Sequence, residues 1–180
     1  GAGPSARAET LPIRDVAGSR GFQIHLIHLE VFTMKYIAYG SNMVLSQMAV
    51  RCPDAKLLGT GCLAGARLEF FCHATVERSA LKSDRVPVAV WEISPRDERL
   101  LDFYEGYPQY YIKEAWPARM EDGSEVHGML YRMALIREMP PSREYYRAIA
   151  DAYRKMGLPE QIPLILEPAL KRAQERTKKC

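Results

Sequence analysis

Two short stretches of the sequence combine residue types suited to acid–base chemistry on an anionic substrate. The first is Gly40-Ser41-Asn42, which follows a β-favouring run at residues 35–39 and precedes an apolar helical pattern. Main-chain N–H groups at such a strand-to-helix junction can bind an anion. Glycine permits a turn at positive φ, and Ser41 and Asn42 can cap the helix. An ordinary strand-to-helix cap is the alternative interpretation.

The second stretch is a predicted helix that ends at Glu105. Residues 94–97 (Ser-Pro-Arg-Asp) have the pattern of an S-x-x-D capping box, and Gly106 is suited to a left-handed helix end. Glu105 lies four residues after Leu101, so an inward Leu101 would carry it toward the core. Loss of water and the negative helix end would then raise its pKa, which suits a general acid–base. Position alone favours an exposed last-turn residue instead, because glutamate is seldom buried.

The elements around these stretches alternate between strands and helices. Strands are predicted at 67–72 and 86–93, and residues 107–116 are predicted to run from a turn into a strand. A return strand is predicted at 126–134, after an Asp122-Gly123 turn. Helices are predicted at 44–51 and from Ser142 toward Gly157, followed by a helical segment interrupted by two prolines. The predicted helix at 95–105 carries apolar residues at 100, 101, 103 and 104. Residues 77–85 are predicted to form a surface loop, and His73, after a strand, is a possible base or simply a strand-end histidine.

Length, charge and cysteine content exclude several classes of protein. The 180 residues suit one domain at 34–180, preceded by an N-terminal extension at 1–33 that could be partly the remnant of an expression tag or a leader. A net charge of +3 does not indicate a nucleic-acid partner, and the basic C-terminal residues are interpreted as a solvated helix end. We assign no metal-binding role to His25 and His28. Four cysteines without a Cys-x-x-Cys pair favour a cytoplasmic protein, and no apolar run approaches membrane-spanning length.

Three blocks in order resemble the γ-glutamylcyclotransferase-like family. They are Tyr36-x-Ala38-Tyr39-Gly40-Ser41-Asn42, Leu101-Asp102-x-x-Glu105-Gly106 after a buried strand, and Pro140-Pro141-Ser142-x-x-Tyr145 leading to Gly157-Leu158-Pro159. The first tetrapeptide alone would be a weak signal, whereas three blocks in sequence form a specific one. The resemblance spans roughly residues 34–167.

The resemblance implies an α+β domain with a mixed, barrel-like β-sheet flanked by helices. Its cavity would lie between the loop at 39–42 and Glu105, the expected catalytic acid–base. The substrate-binding residues would be Tyr39, Gly40, Ser41, Asn42, Tyr111 and Tyr145. For Tyr111, a one-residue slip of the strand would turn Tyr110 inward instead.

The chemistry implied by the resemblance needs no metal and no cofactor. The α-amine of a small γ-glutamyl substrate would attack its own γ-carbonyl, closing 5-oxoproline, with Glu105 shuttling the proton. Two alternatives stay open: a non-catalytic module that binds a γ-glutamyl-like metabolite or a protein partner, and a specialised enzyme that removes a γ-glutamyl protecting group during natural-product biosynthesis. The sequence leaves the departing group and the oligomeric state open.

Overall fold

A computed structural model describes residues 32–178 of the chain. The predicted extension at 1–33, with His25 and His28, therefore lies almost entirely outside the described residues. The strands are β1 (Met34–Ala38), β2 (Lys56–Ala64), β3 (Ala66–Phe71), β4 (His73–Arg78), β5 (Arg85–Ile93), β6 (Tyr111–Met120) and β7 (Glu125–Met133). The α-helices are α1 (Leu45–Arg51), α2 (Pro95–Glu105), α3 (Arg143–Lys155) and α4 (Glu167–Thr177), with a 3-10 turn at Ser41–Met43 and a π-helical segment at Ile162–Leu166.

Five strands form a closed barrel in the order β1-β5-β2-β6-β7. Neighbouring strands pair antiparallel, except where β1 and β7 meet in parallel at Tyr36 and Met129 and close the barrel. The nearly continuous apolar run of β5 is buried from Val86 to Trp91, as expected of a strand covered on both faces. The α+β class and the mixed, barrel-like sheet predicted from the sequence are confirmed.

The strands β3 and β4 form a separate two-stranded sheet. The hydroxyl of Thr75 on β4 accepts a hydrogen bond from the N–H of Met133 at the end of β7 (3.0 Å), which fixes this hairpin to the barrel. The predicted surface loop at 77–85 is too long, because β4 continues to Arg78 and β5 begins at Arg85.

The C-terminal helix α4 is attached to β3 by ion pairs with a buried carboxylate. The Glu69 carboxylate is 3% exposed and accepts hydrogen bonds from Arg172 (2.8 Å) and Arg176 (3.0 Å). The same guanidinium groups donate to the carbonyls of Leu68 and Phe70. The interpretation of these arginines as a solvated helix end is therefore wrong, because a buried carboxylate needs paired charge.

The helix α2 packs through a narrower apolar face than its sequence pattern predicts. Leu101 is fully buried, whereas Leu100, Phe103 and Tyr104 are 41%, 90% and 49% exposed. Both predicted ends are confirmed: Ser94 and Asp97 form a reciprocal capping box, and Gly106 closes the helix at φ 63°. No helix within residues 32–178 is both long and apolar enough to cross a bilayer.

Candidate active site

A narrow pocket of about 30 Å³ lies between the end of β1 and the end of α2. We call it the inner pocket. All seven residues that the sequence singled out line it: Tyr39, Gly40, Ser41, Asn42, Glu105, Tyr111 and Tyr145. Three further residues complete the wall: Tyr36, Ala74 and Tyr131. The structure thus brings the predicted residues together, and their roles stay predictions.

A wider cavity of about 430 Å³, the outer cavity, adjoins the inner pocket. The two share Glu105, Tyr111 and Tyr145. Other parts of the outer cavity come from the β3–β4 hairpin, the end of α2 and the segment after β7. The carboxyl of Glu105 therefore lies at the boundary between a small polar recess and a space large enough for a small molecule.

The loop after β1 differs from its prediction in backbone conformation. Gly40 has φ −120°, so positive φ is not the reason for glycine here. A Cβ at this position would instead lie 3.2 Å from the Ala74 Cβ and 3.3 Å from the Tyr145 hydroxyl. The side chains of Ser41 and Asn42 cap neither the 3-10 turn nor α1, which begins at Leu45. Within residues 32–178, the N–H groups of residues 40–42 donate no backbone hydrogen bond outside regular elements.

Glu105 is the last residue of α2 and is held against the loop by Asn42. The Asn42 Nδ2 donates a hydrogen bond to Glu105 Oε1 at 2.8 Å. Burial raises the pKa of the Glu105 carboxyl from 4.5 to about 7, while the Asn42 hydrogen bond and the Arg51 charge act in the opposite direction. The carboxyl is thus able to exchange a proton near neutral pH, as the inward packing of Leu101 predicted.

The Asn42 amide is oriented by its other neighbours. Arg51, which carries only donors, donates to the Asn42 Oδ1, so the amide nitrogen must face the pocket. One N–H of that nitrogen then meets Glu105, and the other meets the Tyr36 hydroxyl at 2.6 Å. Arg51 also donates to Ser41 Oγ (3.3 Å), and its guanidinium lies over the Tyr104 ring at 3.6 Å. These contacts connect the loop, α1 and α2 in one polar network.

Two phenols line the opposite wall and hold β4 in place. The Tyr111 hydroxyl donates to the Ala74 carbonyl at 2.9 Å, and the Tyr145 hydroxyl accepts from the Ala74 N–H at 3.2 Å. Burial raises the pKa of both phenols, that of Tyr145 to about 12, so both stay neutral. Tyr110 is 51% exposed, so the strand register directs Tyr111 and not Tyr110 into the pocket.

A second network fixes the last turns of α2 to the barrel. The Tyr39 hydroxyl donates to the Tyr131 carbonyl, and the Tyr131 hydroxyl donates to Asp102 Oδ1 at 2.6 Å. Lys113 on β6 pairs with Asp102 at 2.7 Å and with Glu98 at 2.6 Å. Glu105, one turn after Asp102, is thereby held by a helix that is anchored to two strands.

Comparisons with known proteins find similar sequences. A model of the AIG2-like family matches residues 85–162. Bovine γ-glutamylcyclotransferase is 27% identical over 137 residues, covering 69% of this chain and 72% of its own length. The human γ-glutamylcyclotransferase is 29% identical over 138 residues, with coverage of 69% and 72%. The chain is similar to the γ-glutamylcyclotransferase-like family.

Two solved structures have a similar fold. A γ-glutamyl cyclotransferase superposes with a TM-score of 0.68 at 24% identity, covering 76% of this chain and 87% of the other. An uncharacterised human protein superposes with a TM-score of 0.65 at 23% identity, covering 81% and 86%. At these identities the likeness concerns the fold.

Sequence reasoning missed three residues of this candidate site: Arg51, Tyr36 as a hydrogen-bond partner, and Tyr131. Arg51 occupies the last turn of a short helix, where a basic residue is common, so its type carried no special signal.

His73 lines the outer cavity beside Tyr145, with ring centroids 5.0 Å apart. Within residues 32–178 no group of three or more His, Cys, Asp or Glu side chains is arranged to hold a metal ion.

Proposed function

We propose that the protein is a γ-glutamylcyclotransferase that converts a γ-glutamyl amide into 5-oxoproline and a free amine or amino acid. One observation carries the proposal: Glu105, with a pKa raised to about 7, lies at the boundary of the inner pocket and the outer cavity and is held there by Asn42. A carboxyl of this kind can both accept and return a proton at neutral pH. The relatives named γ-glutamylcyclotransferase support the same reaction.

The two spaces suggest how the substrate is seated. The inner pocket, at about 30 Å³, has room for a small group such as the α-carboxylate but not for a whole γ-glutamyl amide. Residues 40–42 line this pocket, and their N–H groups would suit an anion. With the carboxylate there, the γ-carbon would lie near Glu105 and the departing amine in the outer cavity.

The reaction needs one bond to form and one to break. Glu105, ionised, takes a proton from the substrate α-ammonium, and the resulting amine attacks the γ-carbonyl carbon. Glu105 then gives the proton to the departing nitrogen as its bond to the γ-carbon breaks. The second proton on the ring nitrogen is lost as the lactam forms, and the released amine takes one proton from solvent. The nucleophile belongs to the substrate, so this sequence of steps uses no protein nucleophile.

The expected contributions of substrate orientation and proton transfer to the rate are compatible with a site that has few catalytic groups. Holding the amine against the carbonyl of the same molecule can contribute roughly 7–11 kcal/mol at best. A positioned general acid–base adds about 10²–10⁴-fold. The protein would therefore supply mainly a folded substrate conformation and one proton shuttle.

The test is the Glu105→Gln variant, assayed for 5-oxoproline release from γ-glutamyl amino acids, γ-glutamyl amines and glutathione. We expect a loss of about 10²–10⁴-fold in kcat, because glutamine keeps the shape and cannot exchange the proton. Glu160→Gln, at an exposed position, is the matched control and should keep parental activity. Parental turnover by Glu105→Gln would refute the mechanism.

The parent protein also discriminates between the alternatives. Binding of a γ-glutamyl compound by calorimetry without any 5-oxoproline release would support the non-catalytic module. Release from a biosynthetic γ-glutamyl conjugate alone would support the specialised enzyme.

A further inference from the structure

The outer cavity is where the departing group must lie if the proposed function holds. It shares Glu105, Tyr111 and Tyr145 with the inner pocket, so the two spaces meet at the carboxyl that would handle the proton. When the α-carboxylate occupies the inner pocket, the substrate γ-carbon would lie next to Glu105. The group released from that carbon would then lie in the outer cavity. Its volume of about 430 Å³ is within the range of small-molecule sites.

The charge in the outer cavity is supplied by two side chains of opposite sign. Among the described residues that line it, Glu105 is the one carboxyl and Arg137 the one Lys or Arg. The neighbouring Glu138 pairs with Arg176 (3.3 Å), and within residues 32–178 Arg137 has no ion pair. Burial and the Arg137 charge lower the pKa of His73, the other basic group in the wall, which disfavours a second cation there. The Arg137 guanidinium is thus available to an anionic ligand.

The rest of the outer cavity is largely aromatic and aliphatic. Its rim carries large side chains that stay exposed in the free protein: Phe103 (90%), Tyr110 (51%), Tyr104 (49%) and Leu135 (46%). Phe71 forms part of the same wall. Exposed apolar side chains gathered around one cavity mark a place where an apolar ligand group is covered.

We propose that the outer cavity is a subsite for an amino-acid leaving group with a large apolar side chain, whose carboxylate is bound by Arg137. This inference rests on the proposed function. Arginine matches a carboxylate with two parallel N–H donors, and the carboxylate also needs a cation to offset repulsion from Glu105. The apolar rim covers the side chain. A simple amine would use the rim and leave Arg137 without a partner.

The test compares substrates that differ by one group. γ-Glutamyl-phenylalanine and γ-glutamyl-phenethylamine differ only in the carboxylate of the departing amine, and γ-glutamyl-alanine lacks the aromatic ring. For the parent protein we expect kcat/KM for the phenylalanine conjugate to exceed that of the phenethylamine conjugate roughly 10- to 100-fold, the size of one charge-assisted hydrogen bond. It should exceed that of the alanine conjugate by roughly 10-fold or more.

The Arg137→Gln variant tests whether Arg137 binds the carboxylate of the departing amino acid. Its kcat/KM for γ-glutamyl-phenylalanine should fall roughly 10- to 100-fold, and its kcat/KM for the phenethylamine conjugate should change less than about 2-fold. Arg137→Lys, which keeps the charge without the fork, should lose less. Arg99→Gln, at an exposed position on α2 outside both spaces, is the matched control and should behave as the parent.

The outcomes separate this inference from the proposed function. If the parent releases 5-oxoproline equally well from the phenylalanine and phenethylamine conjugates, the carboxylate subsite is refuted and the cyclotransferase activity stands. Equal loss on both conjugates in Arg137→Gln also refutes it. If no conjugate yields 5-oxoproline, the proposed function fails, and this inference fails with it.

Discussion

The raised pKa of Glu105 predicts that the protein loses stability as the pH rises from about 4.5 to 7. In the unfolded chain this carboxyl has a pKa near 4.5, whereas in the folded protein burial raises the pKa to about 7. Below pH 4.5 both states bind the proton. Between the two pKa values the folded state keeps the proton and the unfolded state releases it, so the free energy of unfolding falls with pH.

The size of this effect follows from the shift in pKa. A difference of about 2.5 units at 1.36 kcal/mol per unit gives about 3 kcal/mol at most. The carboxyl keeps some solvent exposure, which makes this an upper value. The Glu105→Gln variant has no such group, so its stability should be higher than that of the parent above pH 7, with the difference shrinking toward pH 5.

Urea unfolding at several pH values between 5 and 8 measures the difference directly. The quantity to plot is the free energy of unfolding of Glu105→Gln minus that of the parent, because other titrating groups cancel in it. Glu160→Gln, with an exposed carboxylate, should track the parent at every pH. A difference between Glu105→Gln and the parent that stays constant within about 0.5 kcal/mol from pH 5 to 8 would show that Glu105 has no raised pKa, and the acid–base argument would lose its basis.

Two further predictions concern the polar networks. Because the proposed base must be ionised, kcat/KM should rise with pH, with an inflection at about pH 7. The Arg51→Gln variant should move this inflection to higher pH, since the Arg51 charge lowers the pKa of Glu105. A purely structural role for Arg51 would lower the rate without moving the inflection. Replacing Glu69 by alanine should destabilise the fold by about 3 kcal/mol and increase hydrogen exchange in α4, because Arg172 and Arg176 lose their buried partner. Unchanged exchange in α4 would contradict the anchoring.

The parts of the fold that the sequence predicts well are those set by local chemistry. The helix α2 is bounded by a capping box at 94–97 and a left-handed glycine at its end, and the structure contains both. The β5 strand follows from an apolar run, and the hairpin between β6 and β7 from Asp122-Gly123. Each of these signals lies within a few residues of the feature that it determines.

The parts that the sequence did not predict depend on contacts between distant residues. Asn42 was considered for its ability to cap a helix, yet its side chain contacts Glu105, 63 positions away. Glu69 meets Arg172 across 103 positions, and no local pattern distinguishes such an arginine from a solvated one. Tyr111 was named from the family resemblance, but the residues themselves could not separate it from Tyr110, because that choice depends on the strand register of the assembled sheet.

The meeting of Glu105 with the loop at 40–42 follows from a match of lengths. Because β1 and β5 are antiparallel, the end of β5 at Ile93 pairs with the start of β1 at Met34, and the helix α2 begins there. Its 11 residues extend about 16 Å at 1.5 Å per residue, and the five residues of β1 extend about 17 Å. The far ends of the two elements meet, because Glu105 at the end of α2 accepts a hydrogen bond from Asn42, four residues after the end of β1. The capping box determines where α2 begins, and Gly106 determines where it ends. Two local signals therefore set the length of the helix and so the position of the Glu105 carboxyl in a site built from distant residues.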